Sequence, residues 1–353
     1  MSIALIVPGT LWDEPFVRIY SNFLEQKGIE FDIISWNRDG RDKPESIQYN
    51  LIQPLNSNKL AKLIGYYKFA NFARKIVKNN KYEKLIIFGP QAGLFMTSLL
   101  KRYSGNYIFD YRDLSLEQMP VFKRALHQVL RHSYANVISS VGFKKALPSE
   151  YEYLICHNFD IDFVAKAFEQ TDENHWNTEA PVKILTIGSI RDYDSNTAVI
   201  DALSNKEQFL MQFVGQGLAV DGLKKYCQSN SVKNVEFKGF YPKTEEPNYI
   251  KVSSFMNIFY PRKISHDTAL SNRFYNSLIF KRPMIVTKDT TQGDYVEQYH
   301  VGLAIESCEH IDDAILEFFK NDYKEYAERC NTLLRMFLEE QRLFSDRLTK
   351  FIQ

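Results

Sequence analysis

Apolar residues in this chain come in short runs separated by longer stretches of helical periodicity, and the alternation begins at once. Ile3 to Val7 is an unbroken apolar run closing on Pro8-Gly9-Thr10; about Glu14 to Lys27 carries apolar positions at three- and four-residue steps; Gly28 stops that pattern; Phe31 to Trp36 is a second run. Short β-rich runs predict buried strands and three-four spacing predicts an amphipathic helix, so the opening predicts a βαβ unit. The order then repeats. A helical pattern around 59 to 80 leads to Leu85 to Phe88 with Gly89-Pro90, a helix runs through Leu100, Tyr107 to Asp110 is a further run, and a helix of about 121 to 132 precedes Asn136 to Ser140. Near-continuous apolar strands alternating with helices predict a parallel sheet covered on both faces.

Residues 171 to 181 are polar and lack periodicity, which predicts a linker, and the pattern then restarts. Val182 to Ile187 closes on Gly188-Ser189-Ile190-Arg191, Phe209 to Val214 on Gly215-Gln216-Gly217, Asn234 to Lys238 on Gly239-Phe240-Tyr241, and Ser254 to Tyr260 on Pro261. Ser271 is placed to cap a helix carrying Phe274, Tyr275, Leu278 and Ile279, and Pro283 ends it before the run Met284 to Thr287. A long amphipathic pattern closes the chain, with Leu333, Leu334, Phe337, Phe344, Leu348 and Phe351 among its apolar positions. The expected organisation is α/β: an N-terminal Rossmann-like domain over 1–170, a linker over 171–181, a C-terminal Rossmann-like domain over 182–330, and a helix over 331–353 packing back across the junction.

Composition narrows the function classes. With 353 residues, 44% hydrophobic and 25% charged, the chain can fill two ordinary cores, and no apolar run approaches the roughly 18 residues of a membrane span. The N-terminus enters a strand without the residue order of a signal peptide, so a cytoplasmic protein is expected. Cys156, Cys227, Cys308 and Cys330 are scattered, which disfavours disulfide scaffolds and zinc sites. The formal net charge is +1, yet residues 1–170 hold 22 Lys and Arg against 17 Asp and Glu. The excess concentrates in 59–84, where eight basic residues face only Glu83 and interleave with Tyr66, Tyr67, Phe69 and Phe72. Such a stretch suits an anionic bilayer surface or an acidic acceptor, or it is a plain solvated helix face. Nucleic-acid binding is disfavoured, since no nucleic-acid motif accompanies it.

Ligands of open α/β sheets bind beyond the carboxyl ends of strands, which makes the strand-end residues the candidates. Gly188, Gly215 and Gly239 allow close backbone approach. Asn272 and Asn276 lie four apart beside the apolar stripe of their helix, with Arg273 in its first turn, where free N–H groups favour an anion. Gly215-Gln216-Gly217 is only part of a dinucleotide fingerprint, and no Walker-type Gly-Lys-Ser/Thr occurs.

In order and content these blocks resemble the donor-binding domain of GT-B glycosyltransferases, particularly the bacterial group that builds capsular and surface polysaccharides. The resemblance covers most of the chain and is strongest from about 182 to 305. It implies two Rossmann-like domains facing across a cleft, with a nucleotide-sugar in the C-terminal one and a saccharide or lipid-linked acceptor in the N-terminal one. On that basis Gly188, Ser189 and Gly215 would line the donor site. Phe240 and Tyr241 would contact the base, Arg191 and Arg273 would neutralise the diphosphate with Arg262 or Lys263 in support, and Asn272 and Asn276 would bind ribose or phosphate. His266, close to the donor block, is a further candidate for a ligand contact. No cofactor beyond the donor and no metal is expected, because arginines and a helix N-terminus would carry the diphosphate charge. Retaining members usually carry two glutamates eight positions apart where this chain has Thr268 and Asn276. An inverting reaction needs an N-domain base, for which Asp13, Asp110 and Asp113 are the candidates, although Arg112 could instead lock the last two into an ion pair.

Other readings stay open at this level. Asp192-Tyr193-Asp194 could be the metal-binding pair of a GT-A transferase. A GT-B-like sugar-nucleotide epimerase, or a non-catalytic nucleotide-sugar-binding or scaffolding subunit of a polysaccharide assembly complex, would share the donor blocks. The expected location is cytoplasmic, and peripheral at the inner face of the plasma membrane if the basic stretch 59–84 meets a bilayer.

Overall fold

The computed structural model describes the chain except residues 12–13, 42–44, 55–56, 113, 115–119, 160, 170–175 and 177–179, and gives the backbone alone at 121, 162, 166 and 169. It divides into two compact units, Met1–Asn158 with Glu340–Gln353, and Phe159–Glu339. Among the described residues no helix is long and apolar enough to cross a membrane.

Seven strands build the first unit: β1 (Ser2–Val7), β2 (Glu30–Trp36), β3 (Ile47–Tyr49), β4 (Lys84–Phe88), β5 (Tyr107–Tyr111), β6 (Ala135–Ile138) and β7 (Leu154–Ile155). They pair in parallel in the order β3-β2-β1-β4-β5-β6-β7. Alternation along β1 divides the core. Ala4 and Ile6 pack with the helices Lys59–Asn80 and Pro120–His132, while Ile3, Leu5 and Val7 pack with the helix Val17–Gln26. The second face is completed by the end of the last helix, whose Phe344, Leu348 and Phe351 join the same core, with the Phe344 ring edge-on to Tyr20 at 5.2 Å.

Six strands build the second unit: β8 (Val182–Ser189), β9 (Phe209–Gln216), β10 (Val235–Gly239), β11 (Phe255–Ile258), β12 (Met284–Thr287) and β13 (Gly302–Ile305), parallel in the order β10-β9-β8-β11-β12-β13. Each sheet therefore reverses direction of winding once, between β1 and β4 and between β8 and β11. At such a reversal the loops leaving two adjacent strands diverge and open a crevice.

The unit boundaries differ from those expected at 170 and 331. The helix Ile161–Glu169 buries Val164 and Ala167 in the second core, so the change of unit falls before it, between Asn158 and Phe159. The last helix is longer than expected, Tyr323–Phe351, and its residues through Glu339 belong to the second unit while those from Glu340 belong to the first. The strands β3, β7 and β13, three, two and four residues long, are too short to carry a readable periodicity. The helix expected to run through Leu100 is two, Pro90–Phe95 and Thr97–Arg102, divided at Met96.

His157 anchors the returning helix within the first unit. Its backbone N–H donates to Gln341 Oε1 at 2.8 Å and its Nε2 lies 2.7 Å from Glu340 Oε2. Burial holds the imidazole below its ordinary range, against the opposing pull of Glu340. The unfolded chain then binds the proton more readily than the folded one. The contribution of His157 is complete above its ordinary value of about 6.5 and is lost as pH falls toward the lower folded value. The urea midpoint should drop as pH is lowered through this window, and His157→Gln should flatten the drop; parallel pH profiles for the two proteins would show that His157 is not the titrating group.

Candidate functional site

At the reversal in the second sheet, β8 and β9 stay in register to their tips, with Gly188 opposite Gly215 and Ser189 opposite Gln216. The backbones are so close that a Cβ on Gly215, whose φ is +133°, would lie 2.0 Å from the Gly188 carbonyl oxygen. A Cβ on Gly217 would lie 2.1 Å from that of Ile190. These glycines are required by strand packing. Gly188, at φ +94°, is different: the nearest atom above its missing Cβ is the Tyr241 hydroxyl, 3.9 Å away. The end of β8 is thus bare backbone beneath a tyrosine.

Tyr241 is held there by Glu246, the N-terminal residue of the helix Glu246–Lys251. The Tyr241 hydroxyl donates to Glu246 Oε2 at 2.5 Å, the Asn276 amide donates to Oε1 at 2.8 Å, and the Lys243 ammonium pairs with the same carboxylate. Glu246 is buried, and three donors offset the cost of that burial. Burial first, then the carboxylate, hold the Tyr241 phenol above its ordinary value, so it remains a donor. Phe240 stands beside it, 74% exposed.

Ser271 caps the helix Asn272–Ile279: its Oγ accepts from the Phe274 N–H at 3.3 Å and donates to Gln292 Oε1 at 2.8 Å. Asn272 occupies the first turn. Arg273, expected at the diphosphate, turns inward and is buried. Its Nε donates to the Ile187 carbonyl, Nη2 to that of Ser189 at 2.9 Å and Nη1 to that of Asn257 at 3.4 Å, with the guanidinium 5.6 Å from the Tyr260 ring centre. One arginine thereby ties the ends of β8 and β11, the two strands that flank the reversal. Thr268 is also buried and donates to the Ile264 carbonyl at 2.7 Å.

Other cations remain at the surface of this cluster. Arg191 donates to the neutral Ser189 Oγ at 2.7 Å. Lys263 reaches across from the β11 loop to Asp192 Oδ1 at 3.4 Å, which places its ammonium at the end of β8. Arg262 forks onto Asp267 at 2.9 and 3.3 Å. His266 Nδ1 lies 3.1 Å from the Pro261 carbonyl; the carbonyl can only accept, so Nδ1 carries a proton and donates it there.

Of the N-domain acids, Asp13 and Asp113 lie outside the described residues. Asp110, next to last in β5, has no exposed surface, its Oδ1 accepting from Arg112 Nε at 2.7 Å and its Oδ2 from Arg112 Nη2 at 2.8 Å and the Tyr20 hydroxyl at 2.6 Å. Arg112 also donates to the Cys156 carbonyl at 3.1 Å and stacks over Phe16. This is a closed, mutually satisfied network, and it takes up the lone pairs a base would need.

Glu246 and Tyr260 take part in this site without having been singled out from sequence. The acid-acid-Pro order of Glu245-Glu246-Pro247 marks a helix start, but nothing local shows that one of the two acids turns inward.

A family model described as glucosyltransferase 3-like, C-terminal domain, matches residues 197–340, less than half of the chain. No curated protein matches it in sequence. Among solved structures, Alr3699/HepE of Anabaena, determined with UDP and glucose, is 14% identical, with a TM-score of 0.63 over 99% of this chain and 100% of that one. Sucrose-phosphate synthase of Thermosynechococcus elongatus is 14% identical, with a TM-score of 0.66 over 98% and 100%. The lipopolysaccharide outer core galactosyltransferase WaaB is 12% identical, with a TM-score of 0.66 over 100% and 99%. Asp192 stands at the N-cap of the helix Tyr193–Leu203 with Lys263 3.4 Å away, and Asp194 lies in that helix's first turn. The chain has a GT-B fold, with a parallel-sheet Rossmann-like half on each side of the change of unit.

Proposed function

We propose that the protein is a glycosyltransferase that takes a uridine diphosphate sugar at the ends of β8, β9, β10 and β11 and passes the hexose to a saccharide or lipid-linked acceptor in surface polysaccharide synthesis. The observation that carries this reading is the placement of Arg191 and Lys263 on residues at and just after the end of β8. Two cations from loops on either side of the sheet reversal are held there, Arg191 by the neutral Ser189 and Lys263 by one long contact to Asp192. Negative charge builds on the leaving diphosphate as the glycosidic bond breaks, and cations already in place stabilise it without reorganising. Gly188 lets a phosphate approach the backbone, and Tyr241 with exposed Phe240 offers rings to a base. The glucosyltransferase-type family match supports transfer of a hexose, and the UDP complexes of HepE support a uridine nucleotide.

We read the reaction as metal-independent, since lysine and arginine can supply the charge a divalent ion would otherwise bring. Calorimetry should show UDP binding more tightly than GDP or CDP, and Lys263→Ala should weaken UDP roughly tenfold, a typical loss for one charge-assisted contact. Equal affinity in the variant removes Lys263 from the diphosphate site. A donor-hydrolysis assay with and without chelator completes the test: complete loss with chelator and recovery with manganese would overturn metal independence. Binding without any donor cleavage would favour a non-catalytic nucleotide-sugar subunit.

A further inference from the structure

The helical layer over one face of the first sheet carries charge of a single sign. The helices Lys59–Asn80, Thr97–Arg102 and Pro120–His132 contain eleven Lys and Arg and no Asp or Glu. They form one continuous layer: the Tyr67 ring meets Phe95 edge-on at 5.9 Å, and Phe95 meets Phe122 edge-on at 5.9 Å. Glu150, an acid beside the layer, lies against His127 at 3.2 Å. Among the described residues no acid pairs with Lys68, Lys75 or Lys78.

The outer stripe of the helix Lys59–Asn80 also exposes apolar side chains. Leu60, Ile64 and Tyr67 are 66%, 46% and 51% exposed, and they continue at three- and four-residue steps into Asn71, Lys75 and Lys78. The inner positions of the same helix, Phe69, Ala70, Ala73 and Val77, are filled by the core, so the exposed apolar residues are surplus to folding. A surface of this kind is amphipathic along its length: apolar toward the helix N-terminus, basic toward its C-terminus.

We propose that this layer is the surface by which the protein docks on an anionic phospholipid bilayer. Leu60, Ile64 and Tyr67 enter the boundary between headgroups and acyl chains, and the lysines of the three helices meet lipid phosphates. Charge complementarity alone would suit any polyanion. The exposed apolar stripe decides for a bilayer, because those side chains lose contact with water in lipid and gain nothing on a sugar-phosphate backbone. The surface lies within one unit and acts without nucleotide, so it stands or falls apart from the donor-site reading.

Sedimentation of the full-length protein with phosphatidylcholine vesicles, with and without phosphatidylglycerol, tests this directly. Wild type should sediment with the anionic vesicles, stay in solution with phosphatidylcholine alone, and be released by salt. The triple variant Lys68→Glu, Lys75→Glu, Lys78→Glu should lose binding on the order of 100-fold, since each basic side chain near an anionic surface contributes about fivefold. Leu60→Ser with Ile64→Ser should also weaken binding while leaving its salt dependence unchanged. A triple Lys→Gln variant with an unaltered circular dichroism spectrum keeps the test open should charge reversal disturb folding. Equal sedimentation with both vesicles, none with either, or an undiminished charge variant overturns the proposal; so does tighter binding to an oligonucleotide that ignores the two serine substitutions.

Discussion

Asp110→Ala should lower the unfolding free energy of the first unit by about 4 kcal/mol, because it strands a buried guanidinium and a buried phenol at once. Among the described residues no other carboxylate bonds to Arg112 or Tyr20, and Arg112 is already committed to the Cys156 carbonyl. Burial first, and Asp110 second, hold the Tyr20 phenol well above its ordinary value, so it stays a proton donor throughout the working pH range and needs an acceptor. Asp110→Asn should cost less, since the amide oxygen keeps one acceptor. The same pair of variants separates structure from catalysis. If Asp110 deprotonated the acceptor, Asp110→Asn would abolish turnover in protein that is still folded; donor hydrolysis that persists, with a lowered urea midpoint, assigns it to the network.

Arg273→Ala should destabilise the second unit by about 3 kcal/mol in the absence of any ligand. The guanidinium makes charge-assisted bonds to the carbonyls of Ile187 and Ser189 and a longer one to Asn257, and its removal leaves buried acceptors at the tips of β8 and β11 unpaired. Arg273→Lys should recover only part of this, because a point ammonium cannot fork onto two strand ends. Nucleotide affinity, measured on folded protein, should fall less than in Lys263→Ala. An unchanged urea midpoint combined with lost UDP binding would return Arg273 to direct contact with the diphosphate.

These two residues mark where sequence reasoning reaches its limit. Both stand at strand ends or in the first turn of a helix after a strand end, the places where α/β folds put their chemistry, and on that rule both were natural candidates. What the rule omits is that strand ends also contain carbonyls without a ladder partner, which must be satisfied. An arginine close to them in space satisfies them in preference to waiting for a phosphate. Arg191 and Lys263 bond to side chains instead, Ser189 and Asp192, and stay at the surface.

The position of Asn276 makes the same point in reverse. A carboxylate is absent from that helix position, but the Asn276 amide meets the Glu246 carboxylate, delivered from a different loop 30 residues earlier. Negative charge is thus present at the site, supplied through space. Neither the spacing of acids in the sequence nor the resemblance could show this, since Glu245 and Glu246 are indistinguishable until the helix that carries them is packed.

Sequence alone determined the alternation of buried strands with amphipathic helices, the restart of that pattern at Val182, the glycines where β8 and β9 close, and the basic, aromatic character of 59–80. Each of these is a local property: burial imposes a period of two or of 3.6 on a short stretch, and sterics restrict φ one residue at a time. Tertiary structure decided which charged side chains are open to a ligand and which are tied down. It also decided that residues from Glu340 onward complete the first unit's core rather than extend the second. Those outcomes turn on pairs far apart in the chain, Arg273 with Ile187 or His157 with Gln341, and no local pattern encodes the partner of a side chain that is chosen only when distant segments pack.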